Sequence, residues 1–135
     1  MKSDQPKTIR RWMLVDDDEN ILAFMREIIS RFGGIETECY DSPYKALAAF
    51  AASPKDYELV ITDLEMPGMD GIELCHRLIE LSPDAKVLLS TGGETVSKES
   101  ATREGFIGLL HKPFPFQEVQ KIMDDMGLAK ISHPQ

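Results

Sequence analysis

The sequence predicts an α/β fold, a doubly wound parallel sheet with helices on both faces, and three observations point to it. Short, almost wholly apolar runs alternate with longer stretches of helical periodicity, β then α, five times. The runs lack polar–apolar alternation, so they suit strands buried on both faces. The connections are short and each carries a helix, as parallel crossovers require.

Trp12-Met13-Leu14-Val15 reads as strand 1, ended abruptly by Asp16-Asp17-Asp18. Ile21, Leu22, Met25, Ile28, Ile29 and Phe32 recur at helical spacing, with Asp18 or Asn20 as cap and Gly33-Gly34 as stop. Thr37 to Tyr40 is a weaker strand 2. Ser42-Pro43 opens a second helix, Ala-rich through Ala52 and closed before Pro54. Leu59-Val60-Ile61-Thr62 is strand 3, followed at once by Asp63. After the loop Met66-Pro67-Gly68, the stripe Ile72, Cys75, Leu78, Ile79 marks helix 3. Lys86 to Ser90 is strand 4, closed by Thr91-Gly92-Gly93. Ser97 to Glu104 is a short polar helix, and Phe106 to Leu110 is strand 5, leading into His111-Lys112-Pro113. Val119, Ile122, Met123 and Met126 mark the last helix. Five strands of this kind most often take the flavodoxin-like order 2-1-3-4-5. The division is a polar lead over 1–9, one domain over 10–126 and a tail over 127–135.

Composition narrows the function. A chain of 135 residues favours one domain, large enough to bury roughly two-thirds of its unfolded surface without a disulfide or metal staple. With 15 Lys and Arg against 23 Asp and Glu, the net charge is -8, which argues against non-specific nucleic-acid binding. Cys39 and Cys75 have no metal-ligand spacing and suit a reducing compartment as small hydrophobes. No apolar run approaches about 18 residues, and residues 1–7 lack a signal-type apolar core. The expectation is a cytoplasmic protein that binds neither membrane nor nucleic acid.

The polar residues carry the chemistry. Asp16 and Asp17 follow strand 1, Asp63 strand 3, Thr91 strand 4 and Lys112 strand 5, so all project from one sheet edge. In the predicted order strands 1 and 3 are neighbours, and ligands sit beyond the carboxyl ends beside that switch point. Two carboxylates about 5 Å apart repel by about 3 kcal/mol at an effective dielectric of about 20. Three such groups call for a cation. Hard carboxylate oxygens suit Mg²⁺, which takes one or two carboxylates, waters and a phosphate oxygen. A metal beside a carboxylate, a hydroxyl and an ammonium suits phosphoryl transfer, with the carboxylate as nucleophile and an acyl phosphate as product. Asp63, alone on its strand end, is the better nucleophile; the adjacent Asp16 and Asp17 are better placed to hold metal.

With these residues in view, the chain resembles the receiver domain of two-component response regulators over about residues 11–126. The motifs are Leu14-Val15-Asp16-Asp17-Asp18, Val60 to Gly71 around Asp63, Leu89-Ser90-Thr91-Gly92 and Lys112-Pro113-Phe114. They stand in order, with spacings of 46, 28 and 21 residues between Asp17, Asp63, Thr91 and Lys112. The resemblance implies that Asp63 is the phosphoacceptor. It implies a Mg²⁺ site made of Asp17 as direct ligand, Asp16 as outer-shell or water-mediated ligand, Asp63 and the backbone carbonyl of Glu65. Thr91 looks like the switch hydroxyl that turns toward the phosphoryl group, with Lys112 as ion-pair partner and a cis Lys112-Pro113 bond. It also implies a sensor histidine kinase or histidine phosphotransfer protein as donor and a downstream protein partner. The chain would assist its own phosphorylation and dephosphorylation but turn over no separate substrate. No output domain is visible, which leaves a stand-alone receiver or one cut from a longer chain. Ile21 and Phe114 border the crevice and are candidates for the kinase-docking surface.

One position departs from the family. Three residues before Lys112, where Tyr or Phe is common, stands Leu109. That feature favours an alternative, a degenerate receiver that binds partners without phosphorylation. A metal-dependent phosphohydrolase is a further alternative, with Glu65 as its second acid two residues after Asp63. Trp12 and the methionines read as packing, and His76, His111 and His133 have no metal partner at useful spacing. Gly92-Gly93 predicts a mobile loop after Thr91.

Overall fold

The computed structural model describes residues 10–93, 96–112, 115–125 and 127. The elements are β1 (Arg10–Val15), α1 (Glu19–Ser30), β2 (Ile35–Tyr40), α2 (Pro43–Ala52), a 3-10 turn (Pro54–Asp56), β3 (Leu59–Asp63), α3 (Gly71–Leu81), β4 (Val87–Thr91), α4 (Lys98–Arg103), β5 (Gly108–His111) and α5 (Phe116–Asp125). The strands form one parallel sheet in the order β2-β1-β3-β4-β5. This is the flavodoxin-like arrangement that the sequence predicts.

Consecutive strand residues point to opposite faces, and both faces are covered. Met13, Val15, Val60 and Leu89 meet Phe50 of α2, Leu74 and Leu78 of α3 and Ala101 of α4. Trp12, Leu14, Ile61, Leu88 and Leu110 meet Leu22, Met25 and Ile29 of α1 and Val119 and Met123 of α5. Two cores explain why the strands read as unbroken apolar runs. At the starts of the first four helices a polar side chain takes up orphan backbone N–H groups. Asp18 caps α1 through the N–H groups of Asn20 and Ile21, and Ser42, Asp70 and Ser97 cap α2, α3 and α4.

Several boundaries differ from the sequence reading. β1 starts at Arg10 rather than Trp12, and β2 at Ile35 rather than Thr37. The guanidinium groups at that end find acids, Arg10 with Glu58 and Arg11 with Glu36, so charged residues sit in a strand the apolar pattern misses. Trp12 is packed as expected, and its indole N–H donates to Glu58 at 2.8 Å. α1 ends at Ser30, and Phe32 instead stacks on Phe116 with ring centroids 4.3 Å apart. Phe106 is buried but precedes β5, because its N–H turns back to the carbonyl of Ala101. Asp63 and Thr91 are the last residues of their strands rather than the first beyond them. Cys75 is buried, whereas Cys39 is only half-buried and its sulfur accepts from Arg26 at 3.3 Å. Residues 1–9, Glu94, Thr95, Pro113, Phe114, Met126 and 128–135 lie outside the described residues. The expectations for the lead, the tail, the Lys112-Pro113 bond and the Phe114 docking position fall there. Among the described residues no helix is long and apolar enough to cross a membrane.

Candidate functional site

The carboxyl ends of β1, β3, β4 and β5 bring the predicted polar residues to one rim. Oxygens of Asp16, Asp17 and Asp63 all lie within 4.8 Å of one another. Asp16 is buried and Asp17 exposed. The Lys112 ammonium donates to Asp16 Oδ2 at 2.7 Å and to Asp63 Oδ1 at 3.0 Å. The second oxygen of Asp16 accepts the N–H of Asp18 at 2.9 Å, which fixes the turn that leads into α1.

One ammonium, bonded to two of the three carboxylates, leaves the rim with more acidic than basic groups. The Asp63 carboxyl is pushed above its ordinary value. Burial is the largest cause; the Lys112 hydrogen bond opposes it and the Asp16 charge adds to it. For Lys112 the largest single influence, burial, acts downward. Hydrogen bonds and charge from Asp16 and Asp63 outweigh it, and the net shift is upward, so the ammonium form is held.

Thr91 is buried at the end of β4, and its hydroxyl accepts the N–H of Gly93 at 3.1 Å. This bond holds Gly93 back against Thr91 in the loop expected to be mobile. Asp63, Leu64, Glu65, Thr91, Gly92, Gly93 and Lys112 line an open cavity of about 330 Å³. That is ample for a phosphoryl group with water, a single water taking about 30 Å³ of liquid volume. Glu65 lines this cavity as an exposed residue.

Two glycines hold the loop after Asp63. Gly71 opens α3 so close to β3 that a Cβ there would run into the Asp63 carbonyl, and its N–H donates to Leu64 at 2.7 Å. Gly68 has φ +87 and lies under the Tyr44 ring, where a Cβ would come 2.7 Å from the phenol oxygen. Sequence reasoning found the loop but neither close approach, because both depend on which helix lies alongside.

Elsewhere Ile21 is partly buried against the α1/α5 core. His76 meets Glu104 at 3.0 Å, and His111 lies 3.7 Å from Glu118. Leu109 is partly buried and packs on the other core. Burial pushes the Cys75 thiol up to about 12, which keeps it an inert packing residue.

A family model described as "Response regulator receiver domain" matches residues 13–124. The chain is 30% identical over 124 residues to the response regulator receiver protein CpdR of Brucella abortus (strain 2308), covering 90% of this chain and 99% of that one. It is 33% identical over 117 residues to a response regulator receiver protein of Anaeromyxobacter sp. (strain Fw109-5), where it covers 86% of this chain but spans only 47% of the relative. Among solved structures it is similar to the response regulator protein TrrA from Thermotoga maritima in complex with Mg(2+)-BeF. The TM-score is 0.77 at 27% identity, over 87% of this chain and 98% of that one.

Proposed function

The chain belongs to the response regulator receiver family, with its acidic cluster of Asp16, Asp17 and Asp63 at the phosphorylation site. From that premise we propose that it accepts a phosphoryl group on Asp63, with Mg²⁺, from a sensor histidine kinase or a histidine phosphotransfer protein. The observation that carries this is the Lys112 ammonium held between Asp16 and Asp63 at the mouth of a cavity that Thr91 also lines.

The residues fit a hard divalent cation. Three carboxylates converge with one ammonium between them, one of the three is open to solvent, and all donors are oxygen. Asp16, Asp17, Asp63 and the carbonyl of Glu65 would hold it, and when bound it supplies charge neutralisation for the phosphoryl oxygens. The Mg(2+)-BeF bound to the Thermotoga relative agrees with such a site.

Asp63 is the nucleophile. One of its carboxylate oxygens forms the new O–P bond as the P–N bond to the donor histidine breaks, and the imidazole leaves with the bonding pair. Lys112 stands 3.0 Å from Asp63 Oδ1 and reaches an arriving phosphoryl oxygen by a small movement. The Thr91 hydroxyl, which accepts from Gly93, donates its own proton to another phosphoryl oxygen. The acyl phosphate then biases a partner-binding surface. The chain serves as acceptor rather than as an enzyme with separate turnover, in a cytoplasmic setting.

Incubation with acetyl phosphate and Mg²⁺, read by intact-protein mass spectrometry, tests this. One phosphoryl group is expected on the wild-type chain, and none on Asp63→Asn or when Mg²⁺ is chelated. No mass gain on the wild type would leave the phosphorylation-independent reading, which Leu109 favours. Continuous hydrolysis of a phosphoester would favour the phosphohydrolase.

A further inference from the structure

Four polar side chains are buried along the sheet: Asp16, Thr62, Ser90 and Thr91. Three have partners. Asp16 holds Lys112 and the Asp18 N–H, Thr62 donates to the carbonyl of Asp63, and Thr91 accepts from Gly93. Ser90 is 1% exposed, and among the described residues its hydroxyl has no hydrogen-bond partner. An unsatisfied buried hydroxyl is destabilising, and native folds carry few of them.

Its place in the sheet suggests what it is for. Ser90 is paired in register with Asp63 on one side and Leu110 on the other. Register partners in a parallel sheet face the same way. Leu88 and Leu110 face α1 and α5, so Ser90 and Asp63 do too. Two residues past Leu110 on that face is Lys112, and the acceptors of its ammonium lie on β3 and just past β1. In the order β2-β1-β3-β4-β5 the lysine side chain must cross the carboxyl end of β4 to reach them, and Ser90 lies one residue short of that end.

We propose that Ser90 is a positioning residue for Lys112 during phosphoryl transfer, a reading that rests on Asp63 as phosphoacceptor. In the resting chain two carboxylates hold the ammonium. As Asp63 forms its bond to phosphorus, negative charge moves off the carboxylate to the phosphoryl oxygens, and Lys112 exchanges its Asp63 acceptor for one of them by a small movement of Nζ. The hydroxyl of Ser90 then accepts an ammonium N–H. It keeps Nζ over the crevice, where otherwise the Asp16 bond at 2.7 Å would draw it away. A hydroxyl supplies that acceptor without adding a fourth negative charge. The group is therefore idle at rest and used in transfer, a trade of stability for function.

The test compares wild type, Ser90→Ala and Ser90→Thr in three measurements: melting temperature, titration with Mg²⁺ alone, and the rate of labelling by acetyl phosphate. Ser90→Ala should melt higher than wild type, bind Mg²⁺ with unchanged affinity and label about tenfold more slowly, the worth of one hydrogen bond to a charged group. Ser90→Thr, which keeps the hydroxyl, should recover the rate. Unchanged labelling of Ser90→Ala beside a labelled wild type would overturn the inference and leave the proposed function intact. So would a lower melting temperature, which would mean that the hydroxyl is already partnered at rest. A wild-type chain that does not label removes both.

Discussion

Asp63 is ionised against the grain of its surroundings, and this gives its substitution a pH signature. Its folded-state carboxyl sits above the ordinary 3.8, chiefly through burial, so the folded chain holds this proton more tightly than the unfolded chain. Between the two values the unfolded state binds fewer protons, and stability falls as pH rises. Asp63→Asn has no such group. The stability of wild type relative to Asp63→Asn is therefore expected to be greatest near about pH 3 and to decline as pH rises toward neutrality, read by urea unfolding at stepped pH. A difference that is flat across this range would contradict the buried, crowded carboxylate. Lys112, also raised, gives stability that is complete below its ordinary 10.5 and lost only as pH climbs through its higher folded value. The residues with charge were legible in the sequence because each ends a run of apolar residues, where no packing role accounts for an acid or a lysine. Ser90 was not: a serine within Leu88-Leu89-Ser90-Thr91 reads as one more small strand residue until the lysine's path across β4 is known.

At the level of elements, strand order and helix faces followed from periodicity, while the outer ends of strands did not. Arg10 and Arg11 extend β1 because Glu58 and Glu36 lie beside them, and such partners are brought in by the fold from distant sequence. β5 is displaced because the turn after α4 captures Phe106. The start of α3 is the element most tightly tied to the site. Gly71→Ala should gain about 1 kcal/mol of helix propensity at most. The added methyl meets the backbone carbonyl of Asp63, which cannot retreat without moving the site. Overpacking of this kind loses about 1–3 kcal/mol, so the clash wins. Denaturant unfolding should show a lower midpoint, and labelling should slow in parallel. A midpoint at or above wild type would mean that the close approach is not as tight as described.

For the whole molecule, two cores share one sheet, and three carboxylates with one lysine meet at its carboxyl rim on a chain of net charge -8. A cation that binds only the folded state raises stability by mass action, by about 2.7 kcal/mol at a hundredfold excess over its dissociation constant. Mg²⁺ should thus raise the wild-type melting temperature. Asp17→Asn should melt higher than wild type without Mg²⁺, since like-charge repulsion is relieved, and should lose most of the Mg²⁺-dependent rise. Differential scanning calorimetry with and without the ion checks both. A lower melting point for the ion-free variant would count against the crowding.

Lys112 also joins the strands mechanically. Its backbone N–H bonds the carbonyl of Thr91 on β4 at 2.9 Å, while its side chain ties down Asp63 and Asp16 at the ends of β3 and β1. One residue thus lashes four of the five strands together at a single rim. Modifying Asp63 would move one lashing outward onto the added group and leave the other two where they are. The backbone ladder between β3 and β4 is untouched by this, so a local chemical change would be felt as a new direction of pull at one rim rather than as a loosening of the sheet.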